Sequence, residues 1–323
     1  MLRNRSSHAN PAKGRIAIIG GGSIGMAFAI TFMRAGYPVR LHEPDAARRA
    51  LLPDLVLATL TDLYEFNLLD ESPYTVLKRL TTVSGLAEAT DGAIYVQECV
   101  PEKLDLKRTL FAKLDRLTPP DVILASASSA LTTSAFAADL QGRARILVVH
   151  PGNPPFLIPV AEVVPAPFTS ADIVERTKEL LSEARLVPIL VKREVEGFVF
   201  NRLQGAMLRE AYCLVRDGVA SVDDIDRIVR DGLGLRWSVI GPFETVDLNT
   251  QGGISAHAEK MGPAYARMGA ERGQHDPWTA DLVAQVSAAR RAQLPLAQWE
   301  QRVAWRDRSL MSLIRYRNNE RAE

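Results

Sequence analysis

His150 and Glu162 are the side chains whose types and spacing point to proton transfer. His150 stands in Val149-His150-Pro151-Gly152-Asn153-Pro154-Pro155, directly after the apolar run Ile146-Leu147-Val148-Val149. That run reads as a buried strand, so the imidazole is expected where a strand runs out into a loop. Pro151, Pro154 and Pro155 fix φ and stiffen the loop. A second apolar run, Phe156 to Val164, brings Glu162 back on a neighbouring strand. Pro159 interrupts that run, which predicts an edge strand rather than a central one. A carboxylate beside an imidazole holds one tautomer and strengthens the ring as a base, and the result is a general base suited to neutral pH. Taken alone, such a pair favours the plainer reading, a surface histidine at a strand end with Glu162 solvated, and the rest of the chain reverses that preference.

A second constellation lies near the N-terminus. Arg15-Ile16-Ala17-Ile18-Ile19 is a short buried strand that runs into Gly20-Gly21-Gly22-Ser23-Ile24-Gly25 and then a helix, Met26 to Ala35, stopped by Gly36. This is G-x-G-x-x-G in the strand–turn–helix setting that dinucleotide binding requires. Gly20 allows the tight turn, Gly22 lets the backbone approach a pyrophosphate, and Gly25 lets helix and strand pack closely. The helix N-terminus, with Ser23 and Ile24 in its approach, offers free N–H groups and positive partial charge to the phosphates. The next strand, Pro38 to His42, ends at Glu43, placed to hold a ribose diol and repel a 2′-phosphate. NAD is therefore the expected cofactor, with Arg40, Arg48 and Arg49 as the residues that could still accommodate NADP.

Composition fits an enzyme with a sizeable core. The chain has 323 residues, 47% of them hydrophobic, and a net charge of +1, enough for two domains. Near-neutral charge without a basic stripe argues against nucleic acid as a partner. No apolar stretch is long enough to span a bilayer, so no membrane role is expected. Cys99 and Cys213 form no disulfide framework and read as buried thiols. With His8, His42, His257 and His275 they show no metal-ligand spacing either. Residues 1–14 read as a disordered polar tail rather than a secretion signal, and the expected location is cytoplasmic.

These residues need a scaffold, and the middle of the chain supplies one. Strands Ala93–Val96, Val122–Ala125, Arg145–Val149 and Val187–Val191 alternate with helices Lys103–Leu117, Thr132–Asp139 and Ser170–Ala184. That alternation predicts an α/β fold: a Rossmann-like, doubly wound, mostly parallel sheet, whose ligands bind beyond the carboxyl ends of the strands. The glycines, Glu43, Glu98, Ser126 and His150 all fall at such ends. After Lys192 only helical segments follow, beginning with Glu196 to Asp217 and then Asp223 to Asp231. The expected division is an NAD-binding domain over 15–192 and an all-helical domain for substrate and dimerisation over 193–323. No solenoid repeat or low-complexity segment occurs.

Five longer segments carry a family resemblance. They are Gln97-Glu98-Cys99-Val100-Pro101-Glu102, His150-Pro151-Gly152-Asn153-Pro154-Pro155 through Pro165, Gly197-Phe198-Val199-Phe200-Asn201-Arg202-Leu203-Gln204, Gly232-Leu233-Gly234-Leu235-Arg236 with Ile240-Gly241-Pro242-Phe243-Glu244-Thr245, and Trp305-Arg306-Asp307 with Leu310-Met311. In these the chain resembles the 3-hydroxyacyl-CoA dehydrogenase superfamily, and within it the lambda-crystallin and L-gulonate 3-dehydrogenase branch. The resemblance implies that His150 is the catalytic base and Glu162 its carboxylate partner. It implies that Ser129 and Asn201 hydrogen-bond the substrate oxygen. Glu98, Glu102, Lys107, Ser129 and Asn153 fall on the cofactor side. Ala127 and Ser128 depart from the polar or threonine-type residues usual in that loop.

The expected reaction is NAD-dependent oxidation of a secondary alcohol. His150 takes the hydroxyl proton while hydride leaves the same carbon. Acyl-CoA members usually carry Pro-Met-Gly-Pro before Phe-Glu, where this chain reads Leu235-Arg236-Trp237-Ser238-Val239-Ile240-Gly241-Pro242. Arg236 could pair bidentately with a free carboxylate or serve a domain or subunit salt bridge. The expected substrate is a small 3-hydroxy acid, L-gulonate-like, with a 3-hydroxyacyl-CoA as the alternative. A non-catalytic, crystallin-like NAD-binding protein is the second alternative. A homodimer through the helical domain is expected.

Overall fold

The computed structural model describes residues 13–238, 241–249, 253–273, 281, 288, 292 and 295–320. Most of the tail expectation, residues 1–12, lies outside them, as do Val239 and Ile240. The chain divides into two compact units, Met1–Asn201 with Ala304–Glu323, and Arg202–Val303. By this division Ala304–Glu323 count with the first unit.

The first unit is built on an eight-stranded sheet in the order β3-β2-β1-β4-β5-β6-β7-β8. The strands are β1 (Arg15–Ile19), β2 (Val39–His42), β3 (Leu80–Val83), β4 (Ala93–Glu98), β5 (Ile123–Ser126), β6 (Ile146–Pro151), β7 (Val160–Pro165) and β8 (Val187–Leu190). All neighbours pair in parallel except β6 and β7. The strand order reverses between β1 and β4, and a crevice opens at the carboxyl ends at such a switch point. The intervening helices are α1 (Ser23–Arg34), α2 (Ala46–Glu65), α3 (Pro73–Leu77), α4 (Leu86–Thr90), α5 (Leu104–Leu117), α6 (Thr133–Ala137) and α7 (Ala171–Glu183).

Helices on both faces explain why β1 is apolar from Ile16 to Ile19 instead of alternating. Ile16 and Ile18 join one buried cluster with Phe28, Phe32 and Leu41. Ala17 and Ile19 join the other with Val96, Phe111 and Leu124. Helix starts follow local hydrogen-bonding chemistry. Asp45 accepts from the Arg48 N–H at the start of α2, and Ser170 from the Ile173 N–H at the start of α7.

Three expectations are corrected. β7 is not an edge strand: it lies between β6 and β8, and β8 is the edge. Pro159 sits just before the strand, so its missing N–H costs the ladder nothing, and its carbonyl accepts the Val187 N–H. The first helix begins at Ser23, three residues before Met26, which puts Ser23, Ile24 and Gly25 in its first turn. The long helix expected from Glu196 begins only at Phe200, because Gly197 (φ 74°) and Phe198 (φ 49°) take left-handed backbone.

The C-terminal helix, Trp299–Glu320, belongs to the first unit from Ala304 onward. Met311 is 1% exposed and belongs to the Ile16 cluster, against which Ile314 also packs. Arg308 pairs with Asp62 at 2.8 Å. The second unit takes up α8 (Phe200–Arg216) from Arg202 onward, then α9 (Val222–Arg227), a π-helical turn at Ile228–Leu233, α10 (Gly234–Trp237), α11 (Pro242–Asn249) and α12 (Gly253–Arg272). Arg272 ties α12 to α8 through Glu210 and Asp217. Among the described residues no helix is long and apolar enough to cross a membrane.

Candidate active site

The antiparallel register of β6 and β7 sets His150 directly opposite Glu162. Directly opposed side chains share a face of the sheet, and here Nδ1 of the imidazole lies 2.8 Å from Oε2 of the carboxylate. The exposures are 7% for His150 and 2% for Glu162. A carboxylate accepts only, so Nδ1 carries the proton and Nε2 keeps the lone pair. The rings of Phe198 and Phe200 flank the imidazole, with centroids at 5.7 and 6.2 Å.

The other carboxylate oxygen, Oε1, accepts the N–H groups of Val199 (2.7 Å) and Phe200 (3.0 Å). These are orphan donors at the start of α8, where the helix dipole also favours negative charge. Burial pushes the Glu162 carboxyl up, but the bond from His150 and the two N–H groups outweigh it, and the group ends below the ordinary carboxylate value. The Gly197-Phe198 turn aims both donors. Left-handed backbone at a phenylalanine is uncommon and costs energy, and Phe198 is fully buried. Gly197 and Phe198 stand in a segment of family resemblance, but their residue types do not reveal this positioning role. A glycine just ahead of an amphipathic run was the available signal.

Asn201, in the first turn of α8, donates from Nδ2 to the Ser129 carbonyl at 3.0 Å. Ser129 itself is exposed. Its loop is shaped by Glu102, whose Oε1 accepts the N–H groups of Ser129, Ala130 and Leu131 and the Ser128 hydroxyl. Beneath this loop Glu98 and Lys107 form a buried ion pair at 2.8 Å, 0% and 1% exposed. Ser126 donates to Glu98 at 2.5 Å, and Lys107 reaches Glu102 at 3.4 Å. Glu98 and Lys107 thus reach the loop through Ser126 and Glu102, without surface of their own. Ser128, which departs from the family pattern, is buried and holds Glu102. Asn153 is exposed and precedes a cis peptide to Pro154.

The glycine loop fits a dinucleotide. Gly20 has φ +110°, and a Cβ there would meet the Cys99 carbonyl at 2.8 Å. A Cβ at Gly25 would sit 1.8 Å from the Gly20 oxygen, so helix and strand approach as only glycine permits. At Gly22 a Cβ would meet nothing within 4 Å, which leaves open the space a pyrophosphate needs. No side chain caps α1, whose first backbone bond is Met26 to Gly22. Its leading N–H groups are thus available to an anion.

Glu43, at the end of β2, accepts the Gly21 N–H at 3.2 Å. Of the three arginines that could accommodate NADP, Arg48 and Arg49 stand beside this carboxylate, Arg48 at 3.6 Å from Glu43 Oε2. Arg48 donates to the Gly21 carbonyl, Arg49 to those of Glu43 and Pro44, and Arg40 to that of Glu88. Arg236 belongs to the second unit. It lies exposed on α10, and its guanidinium makes no hydrogen bond or ion pair with a described residue. Cys213 is buried as expected, while Cys99 is only partly so. Among the described residues no three His, Cys, Asp or Glu side chains cluster as a metal site.

A nucleotide-binding sheet with a His–Glu pair at its carboxyl edge defines an NAD-dependent dehydrogenase acting on CH–OH groups. The chain belongs to the 3-hydroxyacyl-CoA dehydrogenase family: residues 15–195 match the model of its NAD-binding domain and residues 197–295 that of its C-terminal domain. It is 37% identical over 324 residues to the lambda-crystallin homolog of Bos taurus, covering 97% of this chain and 98% of that one. It is 37% identical over 266 residues to an L-carnitine dehydrogenase of Streptomyces griseus, covering 82% and 76%. Among solved structures, the 5-formyl-3-hydroxy-2-methylpyridine 4-carboxylic acid 5-dehydrogenase, an NAD+ dependent dismutase, superimposes with a TM-score of 0.80 at 27% identity. That match covers 94% of this chain and 97% of the other.

Proposed function

We propose that the protein oxidises the 3-hydroxyl of a small free 3-hydroxy acid, L-gulonate-like, to the 3-keto compound. The observation that carries the reaction type is the His150–Glu162 pair. Glu162 holds the Nδ1 proton, so Nε2 is the atom that takes the hydroxyl proton. Glu162 stays ionised through its two backbone donors and stabilises the imidazolium that forms. Asn201 and Ser129, joined to each other, would fix the alcohol oxygen. Gly20, Gly22, Ser23, Ile24 and Gly25 would hold the pyrophosphate of NAD, and Glu43 a ribose. Glu102 and Asn153 would flank the nicotinamide half, and Glu98 and Lys107 would support them. When bound, NAD accepts the hydride released from the carbinol carbon. In the reverse direction His150 is the acid.

Arg236 supports a free acid over a thioester, because an exposed guanidinium without a described partner is suited to pairing with a carboxylate. Similarity to a dehydrogenase of L-carnitine, itself a 3-hydroxy acid, points the same way. The second reading, a 3-hydroxyacyl-CoA substrate, is favoured by the family itself. A cytoplasmic homodimer is part of the proposal, and size measurement in solution tests the dimer.

A panel of L-gulonate, 3-hydroxybutyrate and 3-hydroxybutyryl-CoA, each with NAD and with NADP, separates the readings. Turnover of the free acids with NAD, and a raised KM for them in Arg236→Ala, is the expected result. Turnover of the thioester alone would install the second reading. NAD binding with no turnover of any of the three would mark a protein that has kept the cofactor and lost the reaction.

A further inference from the structure

A cavity of about 570 Å³ lies in the first unit, and neither the His150–Glu162 pair nor the glycine loop lines it. Volumes of this size hold small organic ligands. Its polar end carries Arg34, Arg185 and Asp70. Arg34, at the end of α1, donates to the carbonyls of Phe156 (2.9 Å) and Leu68 (2.7 Å), while its Nε is buried without a partner. Arg185 pairs with Asp70 at 2.5 Å. Asp70 is thus taken by Arg185, while Arg34 is held by backbone carbonyls. Burial, and then the positive charge of Arg185, press Arg34 down to about 10, with Asp70 offsetting only part of this. The remaining wall is apolar, with Leu68, Pro155, Phe156, Leu157, Val187 and Ile314.

We propose that this cavity binds a small organic anion, a monocarboxylate with a short apolar tail, at a site separate from the catalytic one. The carboxylate lies at the two guanidiniums, where it supplies the missing negative charge with charge-assisted hydrogen bonds. The tail lies along the apolar wall and is removed from water. The site also touches the catalytic loop, because Pro155 and Phe156 lie two and three residues after Asn153 and Arg34 holds the Phe156 carbonyl. Occupancy is thus felt three residues from a cofactor-side residue.

The test is calorimetric titration of the full chain, saturated with NAD, by hexanoate, hexanol and inorganic phosphate. It needs no turnover and so does not depend on the substrate proposal. Hexanoate is expected to bind once per chain, with hexanol and phosphate each at least about tenfold weaker, as loss of a charged hydrogen bond or of the buried tail requires. Arg185→Asn, which suits the left-handed backbone at that position (φ 64°), is expected to weaken hexanoate by a similar factor. So is Val187→Trp, which fills the cavity from its half-exposed rim. NAD affinity stays as in the wild type. Equal binding of hexanoate and hexanol would overturn the proposal, as would phosphate binding as tightly as hexanoate. Hexanoate affinity untouched by both substitutions would overturn it too.

Discussion

Glu162 faces His150 across an antiparallel ladder, so the geometry of the pair is fixed by strand register and not by a flexible loop. Glu162→Gln keeps an oxygen for the Val199 and Phe200 N–H groups and removes the charge. The expected loss is roughly 10²- to 10⁴-fold in kcat, the scale of general-base and imidazole-orienting groups. NAD affinity should stay within about twofold, since the glycine loop is untouched. Steady-state kinetics with cofactor titration check this. A variant within tenfold of wild-type turnover would remove Glu162 from the mechanism.

The same carboxylate makes stability depend on pH. Its folded-state value lies below the ordinary 4.5, the contacts from His150 and the backbone outweighing burial. A depressed carboxyl contributes stability that is present in full above the unfolded-state value and lost as pH falls through the folded one. Urea midpoints of wild type and Glu162→Gln should therefore differ most at neutral pH and converge as the solution is taken well below pH 4.5. A gap that is constant over that range would contradict the linkage.

Gly22 and Gly25 separate cofactor binding from folding. Gly25→Ala drives a methyl into the Gly20 carbonyl, and the chain should lose stability by more than about 3 kcal/mol or fail to fold. Gly22→Ala meets no protein atom within 4 Å and has ordinary extended backbone (φ −70°). Its thermal midpoint should match the wild type while NAD binds at least about tenfold more weakly, since the methyl occupies the pyrophosphate's approach. Unchanged NAD affinity in Gly22→Ala would show that the dinucleotide lies elsewhere.

Lys107→Met leaves Glu98 buried and uncompensated. The expected cost is about 3–5 kcal/mol in urea unfolding, and the double variant Lys107→Met with Glu98→Gln should recover most of it. If the double variant is as unstable as the single one, the ion pair matters for its shape rather than its charge balance.

The sequence made the glycine loop, the strand of His150 and the helix–strand alternation legible, because each is encoded locally. Apolar runs, glycine spacing and capping residues act within a few positions of themselves. The interior position of β7 is masked for an equally local reason: Pro159 lies in the same apolar run, whereas the ladder begins one residue later, at Val160. Residues 44–92 carry β3 and α2 to α4, which the periodicity did not single out. α2 contains Pro53 and an uneven apolar pattern, and β3 has only four residues. The support of Glu162 by Val199 and Phe200 was beyond reach, since it joins backbone atoms 37 and 38 positions away. Backbone donors leave no residue type to read.

Met311 has a consequence for how the protein can be divided. The buried apolar cluster of the NAD-binding unit draws on Ile16 in its first strand and on Met311, which follows the whole helical unit in sequence. A fragment stopped at Asn201 would leave that cluster short of a fully buried side chain. The cofactor-binding portion is therefore not an excisable module, and its integrity depends on a stretch of chain encoded far downstream of its own strands.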